Sequence, residues 1–261
     1  MFREHDFVKR ESIFIPAKEG DEGQNVRRVQ EWISLRGQKI LVDGKWGPVT
    51  SRALFKAVHT ALTGGPGEKI AKITPEVWKN TIQAPFFLFT ARMHISPVQP
   101  DSLDAVWQVL RKATPCGIAE AGGNNMGPWV RAFMRGNQGS NYPWCAGFVS
   151  SVLEIAEDAD AGFKRPFDYT WSSMQMVDFA RKEKKLATWE GLERERPSLC
   201  VFAVRGGRTS HQHVGFARAF DYEQGIFETV EGNSNSHASF DGGAVTHGTR
   251  GKENKDFILL A

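Results

Sequence analysis

The sequence predicts an α+β protein: a small three-helix domain at the amino terminus, then a larger domain in which helices pack on an antiparallel sheet. Apolar residues recur at helical spacing through the first third of the chain and again between residues 102 and 184. Four short runs rich in β-branched and aromatic residues, separated by turn residues, follow between 200 and 260. Helices succeeded by consecutive strands are the pattern of an α+β domain. The 261 residues are 41% hydrophobic and 24% charged, an ordinary globular composition. At about 100 to 200 residues per domain, this length corresponds to about two domains, each able to bury its own core.

In residues 25–35, Val26, Val29, Trp32 and Ile33 share one helical face, and Gly37 is placed to end the helix. A loop, Asp43-Gly44-Lys45-Trp46-Gly47-Pro48, leads to a second amphipathic helix marked by Leu54, Val58 and Leu62 and closed by Gly64-Gly65-Pro66-Gly67. Thr74-Pro75 pairs an N-cap with proline at the first helical position and opens a short third helix through Trp78. Residues 85–100 read as a packed connector, so the boundary is expected near residue 95, with domains at 1–95 (core about 22–84) and 96–261. In the second domain helices are expected at 102–112, 129–134, 145–156 and 172–184, and strands at 200–204, 213–220, 226–231 and 256–260.

Charge and composition exclude several classes. A net charge of +3 is too weak to argue for nucleic acid, and the one basic run, 181–185, is interrupted by Glu183. No segment approaches the ~18 apolar residues of a membrane span. Arg3, Glu4, His5 and Asp6 stand where a secretory leader has its apolar core, so synthesis in the cytoplasm without a cleavable signal is expected. Cys116, Cys145 and Cys200 are too few for a disulfide framework and form no CxxC pair. No cofactor is implied.

Cys145 is the most informative residue. Tyr142-Pro143-Trp144 precedes it and an uninterrupted helical pattern follows, which puts the thiol at a helix amino terminus. Unpaired N–H groups and the positive end of the macrodipole there favour thiolate over thiol. A cysteine nucleophile needs a base, and His213 opens a strand joined to the next, 226–231, by a hairpin loop containing Asp221 and Gly225. If residue 220 pairs with 226, residue 213 falls opposite 233 and 215 opposite 231; a slip of two puts 213 opposite 231. Either register places His213, Glu231 and Asn233 on one face, because strand side chains alternate with period two. Glu231 or Asn233 could then orient the imidazole while its other nitrogen faces Cys145. A competing reading takes His211 and His213 as a zinc half-site, with His94, His237 and His247 as further ligands, and leaves Cys145 unused.

At Tyr142-Pro143-Trp144-Cys145-Ala146-Gly147-Phe148-Val149, His213-Val214-Gly215 and Val230-Glu231-Gly232-Asn233, the chain resembles the CHAP family of cysteine, histidine-dependent amidohydrolases/peptidases. The similarity covers about residues 102–261 and takes in Glu120, Gly123-Asn124-Asn125-Met126-Gly127-Pro128 and the segment 241–250. It implies a papain-like fold, Cys145 as nucleophile, His213 as general base, Glu231 as orienter with Asn233 assisting, and Trp144 and Asn125 at the substrate groove. The chain departs from the family pattern at Pro197-Ser198-Leu199, where many relatives carry Pro-Gly-Asp, and at Gln212, where many have glycine. Residues 22–84 resemble a three-helix peptidoglycan-binding domain at Gly23, Val26, Val29-Gln30, Leu35, 43–48, Thr50, Ala53-Leu54 and 78–85.

Together the two resemblances imply a modular peptidoglycan hydrolase that cuts an N-acetylmuramoyl-L-alanine or stem-peptide amide bond. Its setting would be that of a phage endolysin or of an antibacterial effector delivered by a secretion apparatus, the latter with a cognate immunity protein. The alternatives are a noncatalytic wall-binding protein and a zinc-dependent wall hydrolase.

Overall fold

The computed structural model of the chain describes residues 11, 16–59, 72–78, 103–113, 115–207, 210–235 and 243–260. In chain order its elements are β1 (Ala17–Lys18), α1 (Gln24–Leu35), α2 (Pro48–His59), β2 (Lys72–Ile73), α3 (Pro75–Val77), α4 (Asp104–Ala113), α5 (Pro128–Phe133) and α6 (Cys145–Ala159). Then come α7 (Ser173–Lys182), β3 (Leu186–Ala187), α8 (Trp189–Glu195), β4 (Leu199–Arg205), β5 (His211–Asp221), β6 (Ile226–Ser234), β7 (Ala244–Gly251) and β8 (Lys255–Leu259). The protein is α+β, and every strand pairing in its sheets is antiparallel.

The described residues divide into two compact units, one from those within 3–91 and 116–141, the other from those within 92–115 and 142–261. This division differs from a single cut near residue 95, because 116–141 belongs with the amino-terminal segment. Arg131 of α5 supplies the physical reason. Its guanidinium grips Glu11 through two 2.6 Å bonds and donates to Glu31 of α1 at 2.7 Å, all three side chains being buried. Trp129 meets Trp32 edge-on at 5.9 Å. Contacts this far apart in sequence leave no local pattern to read.

In the amino-terminal unit, α1 buries Val26, Val29, Trp32 and Ile33 on the expected face. The loop 43–48 is consumed by structure. The buried Gln30 amide donates to Asp43 and to Lys45 O and accepts from Gly44 N–H, while the Trp46 indole, itself buried, donates to Ser51. Thr74 caps α3 as expected by accepting from Val77 N–H. The expected closure of α2 at 62–67 lies outside the described residues.

In the carboxy-terminal unit six strands form one sheet in the order β3-β8-β4-β5-β6-β7. One face carries Cys200, Phe202, Val204, Ala217, Phe227 and Phe257 in a cluster with Trp189 and Leu192 of α8. Strand alternation turns Val201, Ala203, Val214 and Phe216 to the opposite face, where Phe148 of α6 meets Phe216 at 6.3 Å. The helix approaches the sheet closely at Gly232: a Cβ there would lie 2.7 Å from Phe148 Cβ and Cγ. Atoms that near a helix backbone cannot swing aside, so Gly232→Ala should push α6 off the sheet. Overpacking of this kind costs about 1–3 kcal/mol, and calorimetry should show a lowered Tm. An unchanged Tm would contradict the close approach.

Candidate functional site

Three elements bring the chemistry together. Cys145 is the first residue of α6; it follows Trp144 at the N-cap, and Phe148 N–H is the first to bond back, to Trp144 O at 2.8 Å. His213 comes from β5 and Glu231 from β6. These two strands pair as far as Phe216 opposite Val230, the register in which 213 runs toward 233 and 215 toward 231. Gly215 makes room for the carboxylate, since a Cβ there would sit 2.9 Å from Glu231 Cγ and 2.8 Å from the Phe202 ring.

His213 Nε2 hydrogen-bonds Glu231 Oε2 at 2.8 Å. The imidazole and the Cys145 thiol are near enough to shift each other's proton affinity, and with Nε2 taken by Glu231, Nδ1 is the nitrogen left for the sulfur. The sulfur further receives the N–H groups of Val214 and Ala146. All three side chains are buried, with Cys145 the most exposed at 4%.

Each group's proton affinity follows from this packing. Burial alone would raise the Cys145 pKa, but the His213 hydrogen bond and charge and the two backbone N–H groups outweigh it, so the thiol ionises below its ordinary range. Burial alone would lower His213, yet its bonds and charge attraction to Cys145 and Glu231 raise it to about 9. Glu231, desolvated but bonded to His213, Arg250 and Thr229, is held at about 2. The arrangement therefore favours a thiolate beside an imidazolium backed by a carboxylate.

The pH dependence has a definite sign. A raised His213 pKa contributes stability that is complete below 6.5 and is lost as pH rises through about 9. A depressed Glu231 pKa contributes stability above 4.5 that is lost as pH falls through about 2. Activity that needs the ion pair should rise as Cys145 ionises and decline as His213 loses its proton near 9. A rate that keeps climbing past that pH would contradict an imidazolium role.

Sequence reasoning missed two residues of the site. Arg250 of β7 donates to Glu231 Oε1 at 2.7 Å and Oε2 at 2.6 Å, a fork-on-fork contact, and Thr229 Oγ1 donates to Oε1 at 2.6 Å. The face of β6 carrying Phe227, Thr229 and Glu231 faces β7 with Arg250 opposite Phe227 and Gly248 opposite Thr229, and the small Gly248 leaves the guanidinium a path to Glu231. Had 244–251 been read as a strand returning on β6, this face would have pointed to Arg250.

The other expected site residues are placed differently. Asn233 is fully buried and has φ +55°, and the β6–β7 register shifts between Glu231 and Ser234, so the simple alternation ends at Glu231. Its amide makes no hydrogen bond to His213, and Glu231 is the carboxylate that bonds the imidazole. Trp144 has no exposed surface and packs edge-on against Phe148 at 6.5 Å, a packing position rather than a groove wall. Asn125 belongs to the amino-terminal unit, in a left-handed turn with its side-chain oxygen buried. The two histidines of the zinc reading part company: His211 Nε2 bonds Asp256 of β8 at 2.9 Å while His213 bonds Glu231. Among the described residues no group of three His, Cys, Asp or Glu is placed to hold a metal ion; His94 and His237 lie outside them.

Cys200 lies in the sheet core, where burial pushes its thiol well up and makes it a poor nucleophile. No helix among the described residues is long and apolar enough to cross a membrane. Comparison with protein-family models, with curated proteins and with solved structures finds no match at any of the three levels.

Proposed function

We propose that the chain is a cysteine-dependent peptidoglycan hydrolase whose carboxy-terminal unit has a papain-like arrangement and cuts an amide bond, an N-acetylmuramoyl-L-alanine bond or one within the stem peptide. The observation that carries the reading is the buried relay Cys145, His213, Glu231, with the sulfur at the start of α6 and its pKa depressed. The wall as substrate comes from the resemblance to CHAP enzymes and from that of the amino-terminal helices to wall-binding domains. Tethering by those helices would raise the effective concentration of cleavable bonds.

In the proposed reaction the Cys145 thiolate adds to the amide carbonyl, forming the C–S bond. The N–H groups of the first α6 turn, which lack intrahelical acceptors, stabilise the oxyanion. His213 gives its proton to the departing amine as the C–N bond breaks. Water then attacks the thioester, surrendering a proton to His213, the C–S bond breaks, and the free acid leaves with the Cys145 thiolate and the imidazolium restored. Glu231, clamped by Arg250 and Thr229, holds the imidazole and balances its charge throughout.

The setting is that of a phage endolysin, released through a membrane lesion onto the wall of the cell that makes it, or of a delivered antibacterial effector; the second predicts an immunity protein that blocks the Cys145 site. The test is digestion of defined peptidoglycan with mass spectrometry of the products. A new alanine amino terminus with a free lactyl carboxylate on the glycan marks the first bond, a new terminus within the stem peptide the second. Release of neither, from sacculi that the chain pellets with, would overturn the hydrolase reading in favour of a noncatalytic wall-binding protein.

A further inference from the structure

Of the large apolar side chains among the described residues of the carboxy-terminal unit, Trp171 and Met174 stand out at 45% and 47% exposed. Trp171 lies on the turn that leads into α7 and Met174 in the first turn of that helix, and Trp171 is braced edge-on against Tyr169 with the rings 6.4 Å apart at 88°. An aromatic ring left in water is costly, and here the turn holds it in place. Ser172 N–H donates to Thr170 Oγ1 at 3.0 Å, Gln175 N–H to Ser172 Oγ at 3.3 Å, and the Thr170 hydroxyl to Gln175 Oε1 at 2.8 Å.

The turn is fastened to both elements that carry the reacting groups. Ser150 of α6 donates through Oγ to Thr170 O at 2.7 Å and accepts from Thr170 N–H at 3.2 Å. Ser150 is five residues past Cys145, about 7.5 Å along the helix axis. Ser173 Oγ donates to His211 O at 2.5 Å, and His211 precedes His213 by two residues, about 7 Å of strand. Trp171 is thereby held on a turn tied to the elements that carry the sulfur and the imidazole.

We propose that Trp171, with Met174 beside it, is a sugar-binding platform that stacks on an N-acetylated amino sugar of the glycan whose attached peptide is cut at Cys145. The proposal rests on the wall-hydrolase reading and names the part of the substrate that reading leaves open. The turn's chemistry selects this occupant. Residues 169–176 carry no charge but supply hydroxyl and amide groups, Ser172 and Gln175 among them. A neutral ring with an apolar CH face and a rim of hydroxyls matches that surface, whereas an anionic lipid or polyanion would require cations. The negative face of the indole attracts the polarised CH groups of a pyranose, and an acetamido methyl fits against the Met174 thioether. The glycan continues beyond the sugar that carries the cleaved peptide, so a platform tied to the Cys145 helix and to β5 can hold a sugar of the strand whose peptide enters the site.

Two measurements on the full chain test this. The first compares kcat/KM for a disaccharide-bearing muropeptide with that for the same stem peptide without sugar. Wild type should prefer the glycosylated substrate, Trp171→Ala should lower that ratio at least tenfold, and Trp171→Phe should retain most of it. An unchanged ratio, or equal losses on both substrates as a merely structural role would give, overturns the proposal. The second uses Cys145→Ala chain labelled with 5-fluorotryptophan, in which the Trp171 resonance is the one missing from Trp171→Phe. Titration with the N-acetylglucosaminyl-N-acetylmuramyl disaccharide should shift that resonance saturably, and no shift overturns the proposal. A chain that shifts but hydrolyses neither substrate would refute the hydrolase reading and leave the platform standing.

Discussion

Cys145→Ala should abolish the proposed amide hydrolysis, with a fall in kcat of at least about 10⁴-fold, the scale seen when the nucleophile of a catalytic triad is removed. The reason is local. Cys200 cannot substitute, because it sits in the sheet core with its thiol pKa pushed up by burial, and Cys116 is buried in the other unit. Alanine fills nearly the same space at the start of α6, so the Tm should move little while His213, deprived of the thiolate that helps raise its pKa, titrates lower. Activity on defined peptidoglycan and NMR of the His213 ring in the same sample separate the two effects. Retained hydrolysis in this variant would remove the cysteine from the chemistry.

Glu231→Gln has the second largest expected effect, and it strikes stability as well as rate. The carboxylate accepts from His213, from both ends of the Arg250 fork and from Thr229. Neutralising it takes the carboxylate from the buried Arg250 guanidinium and leaves the imidazolium with the Cys145 thiolate as its counter-charge; breaking a buried charge pair in this way costs about 3–5 kcal/mol. The His213 pKa should fall from about 9, and kcat should drop about 10²- to 10⁴-fold, as when the orienting acid of a triad is made an amide. Adding Arg250→Met removes the cation that lost its carboxylate and should recover part of the lost Tm without recovering the rate. Asn233→Ala is the control: its amide does not bond the imidazole, so the His213 titration should persist. Equal collapse of that titration in both variants would contradict the assignment of Glu231 as sole orienter.

The parts of this site that were legible in the sequence are those written in short-range patterns. The helical run after Cys145 placed the thiol at a helix start, and the 213–231 hairpin, with alternation of period two, placed His213 and Glu231 on a common face. Phe216 does meet Val230, while the turn end shifts so that Asp221 meets Ile226. What was not legible depends on distant or weakly patterned residues. The segment Ala244–Gly251 carries two glycines and few apolar residues, so as an edge strand it lacks the usual signature, and Arg250 went unnoticed with it. The left-handed backbone at Asn233 turns a neat alternation aside, and no local rule foresees it. Trp144 next to a nucleophile invites a groove reading, but burial against Phe148 is decided by the packing of α6 on the sheet. Arg131 shows the same limit at larger scale, since its partners Glu11 and Glu31 lie 120 and 100 residues away.

Spectroscopic titration of the Cys145 thiolate, taken as the ultraviolet difference between wild type and Cys145→Ala across the pH range, addresses the ion pair itself without reference to any substrate. A step below the ordinary thiol range that moves toward it in Glu231→Gln is the expected result, because the thiolate is held by a protonated His213 that Glu231 supports. A Cys145 that ionises at or above the ordinary value, indifferent to Glu231, would contradict the account.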